Sequence, residues 1–229
     1  MIKYDDIGRF LSRVNRFIVE LEVGGKMVQC HLHDTGRIDH LVHSGSGEVY
    51  VRRVSRLGRR TSCDVVAVRN PIEGRIVVVD SRIPNRIFAE GYRYVLGEES
   101  YIEAEKDILG SRLDFLASNP KGLWAVEVKG VNLARGGIGL FPNAPSARAV
   151  KHVEVLERLS REGVRGLMVF AALRSDVEVF SPNRMVDPRF SRLACSLRGI
   201  VEFAGIRVKV EDDGYSIRIE PVGVGEFRC

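Results

Sequence analysis

The sequence predicts a two-domain protein, a small closed β-barrel over residues 1–83 followed by an α/β domain over residues 84–229. Three observations carry this. In "RFIVELEVGGKMVQCHLH", Phe17, Val19, Leu21 and Val23 alternate on one face, the Gly24-Gly25 pair turns the chain, and Val28, Cys30 and Leu32 resume the alternation. Beyond "DSRIPNR" (80–86) the pattern changes to strands separated by helix-periodic stretches. Finally, 229 residues suffice for two modest cores.

The elements follow in order. After the hairpin, "GEVYVRRV", "CDVVAV" and "RIVVVD" read as further strands, making about five short strands broken by Gly and Pro, a barrel signature. Pro84 opens a helix through "NRIFAEG". "SRLDFLA" and "LWAVEVKGV" read as strands joined by "SNPKG", and "ARGGIGLFPNAPS" as a Gly-rich loop. "SARAVKHVEVLERLSREG" places Ala149, Val153, Leu156 and Ser160 along one side and ends at Gly163, an amphipathic helix. "GLMVFAAL" is a buried strand, "VDPRFSRLACSLRG" a helix, and "IRVKVEDDGYSIRIEPV" a strand pair turning at Asp213-Gly214.

Composition narrows the class. The longest apolar run, 166–173, is far too short to span a bilayer, and the N-terminus shows no signal-like apolar core, so a cytoplasmic protein without a membrane partner is expected. Cys30, Cys63, Cys195 and Cys229 are scattered and form no C-x-x-C pair, so they are expected to be reduced and structural. Of 35 basic residues 28 are Arg, and residues 1–83 carry 14 basic against 10 acidic side chains, a net +4. Arg forks match phosphate, so the bias suits a polyanion, although a GC-rich genome gives the same bias.

The chemistry concentrates in "LWAVEVKGV". Glu127 and Lys129 stand two residues apart in an apolar strand and so share a face, roughly 6 to 7 Å apart. Asp114 likewise interrupts the apolar strand "RLDFL", and pairing across "SNPKG" brings it near Glu127. Two converging, partly desolvated carboxylates repel, and a divalent cation relieves the conflict. Mg²⁺, or Mn²⁺ in its place, takes such oxygen ligands, so Asp114 and Glu127 are candidate metal ligands. Lys129 would then orient the attacking water or counter charge on a phosphate, as metal-dependent phosphodiester hydrolysis requires. A bare E-x-K is far more often a structural ion pair, and the neighbouring Asp114 is what raises this one above it.

This order of Asp114, "EVK" after a hairpin and then a helix resembles the PD-(D/E)xK nuclease core. More narrowly, "SRLDFL", "VEVKGV", "LFPNA", "KHVEVLERL" and "RSDVEVFSPNRMVDPRF" resemble the sugar fermentation stimulation protein A (SfsA) family in order and spacing, strongest from 105 to 190, with "HDTGR" and "PNRIFAEG" extending the likeness over nearly the whole chain. The resemblance implies an N-terminal OB-like barrel, a restriction-endonuclease-like α/β domain with a mixed sheet, DNA binding, and a link to regulation of sugar metabolism. It implies metal ligation by Asp114 and Glu127, a catalytic position for Lys129, and a place for Glu105 completing the catalytic set; Lys151 and His152 match the family's Lys-His pair. Asn143 stands where the family usually shows Asp, Asp34 replaces its Asn, and Ile38 its Met.

Other motifs are weighed against plainer readings. "RRVSRLGRR" holds Arg52, Arg53, Arg56, Arg59 and Arg60 and no acid; with Lys151 these are the candidate contacts to the backbone of double-stranded DNA, against the alternative of a solvated loop. In "CHLHDTGRIDHLVH" the strand alternation sends Cys30 and Leu32 one way and His31 and His33 the other, so spacing alone yields no compact tetrahedral metal set. "DTG" is also the aspartic-protease tripeptide, but those sites need two such aspartates, and "GGIG" lacks the downstream lysine of a P-loop. The expectation is a DNA-binding protein of weak sequence specificity. The alternatives are an active Mg²⁺-dependent endonuclease and, behind it, a protein-interaction module. Sequence leaves the oligomeric state open, a homodimer included.

Overall fold

The computed structural model describes residues 1–229 except 35, 56, 57 and 109. Its contacts divide the chain into two units. The first comprises Met1–Ile83, Leu173–Ser175 and Lys209–Glu220; the second comprises the remainder.

In the first unit, β1 (Ile2–Lys3), β2 (Asp6–Asn15), β3 (Ile18–Val23), β4 (Lys26–Leu32), β5 (Glu48–Arg53), β6 (Cys63–Arg69) and β7 (Ile76–Val78) follow one another. β2 to β7 pair in the order β4-β3-β2-β5-β6-β7, and a parallel β4–β6 pairing closes β2 to β6 into a five-stranded barrel; β1 pairs instead with residues 216–217. The predicted hairpin is β3–β4. Gly24 and Gly25 both take positive φ, +56° and +76°, as a two-residue turn of this hand demands. Val19, Leu21, Cys30 and Leu32 point into the barrel with Val49, Val51, Val65 and Val68, whereas Phe17 stays partly exposed at the strand's start.

The first unit is not one continuous segment. Leu173 accepts the Val78 N–H at 2.9 Å, and the neighbouring Arg174, buried, pairs with Glu73. Asp212 accepts from the hydroxyls of Tyr4 at 2.9 Å and Tyr50 at 3.1 Å. Polar groups this far apart in sequence leave no local pattern, so residues that a single cut at 83/84 assigns to the second domain pack with the first.

The second unit begins with α1 (Ile83–Leu96), longer than the short helix expected after Pro84. Next come β8 (Tyr101–Ile108), β9 (Ser111–Asn119), β10 (Gly122–Val131), β11 (Ala134–Arg135) and β12 (Ile138–Phe141), then α2 (Ala147–Arg161) and β13 (Arg165–Ala172). β14 (Val179–Pro182), α3 (Pro188–Ser196), β15 (Val201–Asp212) and β16 (Ser216–Phe227) complete it; the ends of β15 and β16 nearest their connecting turn belong to the first unit. The sheet is mixed, in the order β11-β12-β14-β16-β15-β13-β10-β9-β8, with β8-β9-β10 antiparallel and β10-β13-β15 parallel. The Gly-rich "GGIG" is not a long loop: Gly136 and Gly137 make the tight β11–β12 turn.

Two caps set the helices. Ser146 accepts from the Ala149 N–H and begins α2; Asp187 accepts from the Phe190 N–H ahead of Pro188 and begins α3. α2 buries Val153, Leu156 and Leu159 and packs on β13 and β10. At roughly 1.5–3 kcal/mol per fully buried side chain, that face fixes the helix against the sheet.

The cysteines correct an expectation. All four are disulfide-bonded, Cys30 to Cys63 and Cys195 to Cys229. The parallel β4–β6 register sets Cys30 directly against Cys63, and Cys229 follows β16 back to α3. Sequence separations of 33 and 34 residues hid both pairings. No helix among the described residues is long and apolar enough to cross a membrane.

Candidate metal-dependent site on the second unit

The site forms where a ladder ends. β9 and β10 pair up to Phe115 opposite Val126, and the same register continued would set Asp114 opposite Glu127. There the side chain replaces the backbone: Asp114 Oδ2 accepts the Val128 N–H at 2.9 Å, and Asp114 Oδ1 accepts from Asn85 Nδ2 at 3.2 Å. Asn85 lies in the first turn of α1. The predicted convergence of Asp114 and Glu127 is therefore present, and a polar side chain satisfies the donor the ladder leaves open.

Glu127 is only 2 % exposed. Its Oε1 accepts from Lys129 Nζ at 2.5 Å and also meets His152 Nδ1. Lys129 Nζ lies 3.2 Å from the same His152 nitrogen. One helical turn earlier on α2, Arg148 Nε donates to His152 Nε2 at 3.3 Å. A donor on Nε2 leaves the proton on Nδ1, aimed at Glu127.

Protonation tendencies separate the two acids. Burial pushes Asp114 up and the Glu127 charge adds to it, against the Val128 N–H and Lys129. Burial alone would raise Glu127 too, but His152 and Lys129 outweigh it and hold Glu127 at about 2. Two neighbouring carboxylates pushed in opposite directions are a common mark of a working site. The oxygen donors and the unrelieved repulsion on Asp114 fit a hard divalent cation of the Mg²⁺ kind.

The other expected residues scatter. Glu105 sits in β8, where the register passes from Ala104–Phe115 to Lys106–Leu113, and takes a positive φ of 51°. Its carboxylate is 71 % exposed and bonded to Arg112 at 2.8 Å; it is not drawn in to Glu127. Lys151 is exposed on α2. Among the arginines, Arg52 and Arg59 pair with Asp64, Arg53 pairs with Asp6 at 2.6 Å, and Arg60 is exposed; Arg56 lies outside the described residues. Much of that charge is thus met within the barrel. Sequence reasoning left Asn85, Arg148 and His152 out of the set. The four-residue spacing of Arg148 and His152 on the helix after the strand was the available signal for two of them.

Comparison with known proteins agrees with this architecture. Residues 11–79 match the family model described as the SfsA N-terminal OB domain, and residues 82–214 match the sugar fermentation stimulation protein RE domain. The chain belongs to the sugar fermentation stimulation protein family. A homolog from Moorella thermoacetica is 38% identical over 229 residues, covering 94% of this chain and 90% of its own. One from Alkaliphilus metalliredigens is 34% identical over 220 residues, covering 93% and 94%. The solved structure of Pyrococcus furiosus SfsA in complex with Ca²⁺ superposes with a TM-score of 0.83 at 26% identity over the whole of both chains. As an SfsA-family chain, this protein joins an N-terminal OB barrel to a C-terminal mixed-sheet domain.

Proposed function

We propose that this protein binds duplex DNA and carries a Mg²⁺-dependent phosphodiester-hydrolysing site of the PD-(D/E)xK kind. The observation that supports it is the meeting of Asp114, Glu127 and Lys129 at the end of the β9–β10 ladder, with Asp114 pushed up and Glu127 held down. Asp114 and Glu127 would hold the cation, which when bound supplies positive charge to a phosphate oxygen. Lys129 presents an ammonium beside Glu127, placed to counter charge building on the phosphate. Asn85 and the Val128 N–H fix Asp114 in place; Arg148 orients His152. Pyrococcus furiosus SfsA was solved in complex with Ca²⁺, another hard, oxygen-seeking cation, in keeping with such a site.

The test is nicking of supercoiled plasmid with Mg²⁺ or Mn²⁺, comparing the native protein with Glu127→Ala purified identically. The expected result is cutting by the native protein and a loss of about 100-fold or more in the variant. Equal cutting by both would assign the activity to a contaminant. A second reading, DNA binding over a silent site, is favoured by one feature: Lys129 and His152 both engage Glu127 Oε1, a position a cation would need. DNA retention without cutting by either protein would select it, and would suit regulation of sugar-metabolism genes, the role the family's name suggests. Retention by Arg60→Ala and Lys151→Ala should be weaker and should fall less steeply with salt; unchanged retention would remove those two residues from the interface.

A further inference from the structure

The outward face of the barrel's closing strand pair gathers a different donor set. Strand alternation turns Cys30 and Leu32 of β4 inward and His31 and His33 outward. The parallel β4–β6 register places Asp64 beside His31, and the Cys30–Cys63 disulfide ties the two strands at the adjacent position. One donor atom from each of His31, His33 and Asp64 lies within 4.8 Å of the others. His33 Nε2 is 3.1 Å from Asp64 Oδ1, and the two imidazoles meet edge to face with centroids 4.4 Å apart. His33 Nε2 is thus already paired with Asp64, whereas His31 Nδ1 is buried without a hydrogen bond, a costly state for a polar atom unless something else takes the lone pair.

We propose that His31, His33 and Asp64 form a metal site, separate from the Asp114/Glu127 pair, for a divalent transition ion of the Zn²⁺ and Co²⁺ class. Tetrahedral Zn²⁺ has bonds of about 2.0–2.1 Å, which put its donors roughly 3.4 Å apart, so the set closes by small side-chain rotations. Three protein ligands leave a fourth position for water or a ligand. Arginines surround the carboxylate, with Arg59 and Arg52 on Asp64 and Arg82 at 3.8 Å. Each exposed or movable partner has another anchor or solvent: Arg59 also donates to Thr61 Oγ1 at 2.9 Å, Arg82 pairs with Asp80, and Arg52 is partly exposed. The arginines share the single carboxylate, and Mg²⁺ or Ca²⁺ would need several such oxygens, so these hard ions are disfavoured. Imidazole nitrogen selects the transition ion instead.

The test is titration of chelator-treated full-length protein with Co²⁺, read by its visible absorption, then displacement by Zn²⁺. Glu127→Ala, in which the Asp114/Glu127 pair is broken, should still bind one equivalent with the strong visible absorption of four-coordinate, imidazole-ligated Co²⁺, while His33→Ala and Asp64→Asn should lose at least tenfold in affinity for the ion that gives this absorption. Because those variants alter a barrel strand, Zn²⁺ titration of the native protein by imidazole NMR provides a check that needs no substitution. Shifts of the His31 and His33 ring signals support the site. Absence of Co²⁺ binding, Co²⁺ binding lost only in Glu127→Ala, or a Zn²⁺ shift confined to His152 would overturn it.

Discussion

Asp64 on the barrel and Glu127 on the mixed sheet are both buried carboxylates held at about 2, yet they are held differently. Burial opposes ionisation at each. Around Asp64 the opposition is overcome by Arg59, His33 and Arg52, drawn from three separate places in the chain. Around Glu127 it is overcome by one imidazole and one ammonium, and a second carboxylate, Asp114, stands alongside and is pushed up. The first cluster compensates its own charge. The second keeps a like-charge conflict that only a cation or a proton relieves, and that difference is why the proposals above give the acid pair a hard cation and the barrel cluster an ion recruited through nitrogen.

The comparison sharpens under substitution. The largest stability effect should come from the barrel's own staple. Replacing Cys30 and Cys63 by Ala removes a cross-link spanning 33 residues and should cost about 3–4 kcal/mol, read as a lower denaturant midpoint. A loss below about 1 kcal/mol would mean the β4–β6 pairing holds the His31–Asp64 platform without it. Next, Asp64→Asn should cost roughly 2 kcal/mol by leaving Arg59 short of its charged partner.

The pH dependence of that second effect has a definite sign. Asp64 binds its proton less readily folded than unfolded, so its contribution is full above 3.8 and fades as pH falls toward 2. The stability gap between native and Asp64→Asn should therefore close over that range; a gap unchanged at pH 2 would mean the loss is steric. Asp114 has the opposite sign. Its folded pKa is raised, so protonation favours the fold, and the benefit is lost as pH rises. Asp114→Asn should then stabilise the protein at about pH 7 by about 1 kcal/mol, the gain typical of relieving strain at a working site. A thermal melt showing destabilisation would mean that Asn fails to keep the Val128 N–H satisfied and that this bond outweighs the repulsion.

How much was legible follows the range of the interactions. The β3–β4 hairpin, the β9–β10 pair and the α2 helix were readable because alternation, turn glycines and helical spacing act within a few residues. The Asp114/Glu127 convergence was readable because one hairpin register determines it. His152 was visible as a family match but not as a partner of Glu127, since that contact needs the packing of α2 on β10. β8 was missed because Glu103, Lys106 and Asp107 mask its exposed face. Glu105 was placed with the acids by resemblance, and the backbone at positive φ presents it to solvent instead.

By itself the sequence determined the β3–β4 hairpin, the β9–β10 pair, the α2 helix, the change of architecture near residue 83, and the pair of acids flanking one hairpin, because each depends on local periodicity. Tertiary structure alone decided that Cys30 faces Cys63, that Asp64 joins His31 and His33, that Arg52 and Arg53 pair with Asp64 and Asp6, and that residues 173–175 and 209–220 pack with the barrel. Each of these joins residues more than about thirty positions apart, or a charge to a partner on another strand. No periodicity records such pairings; only the register of strands brought together by folding does.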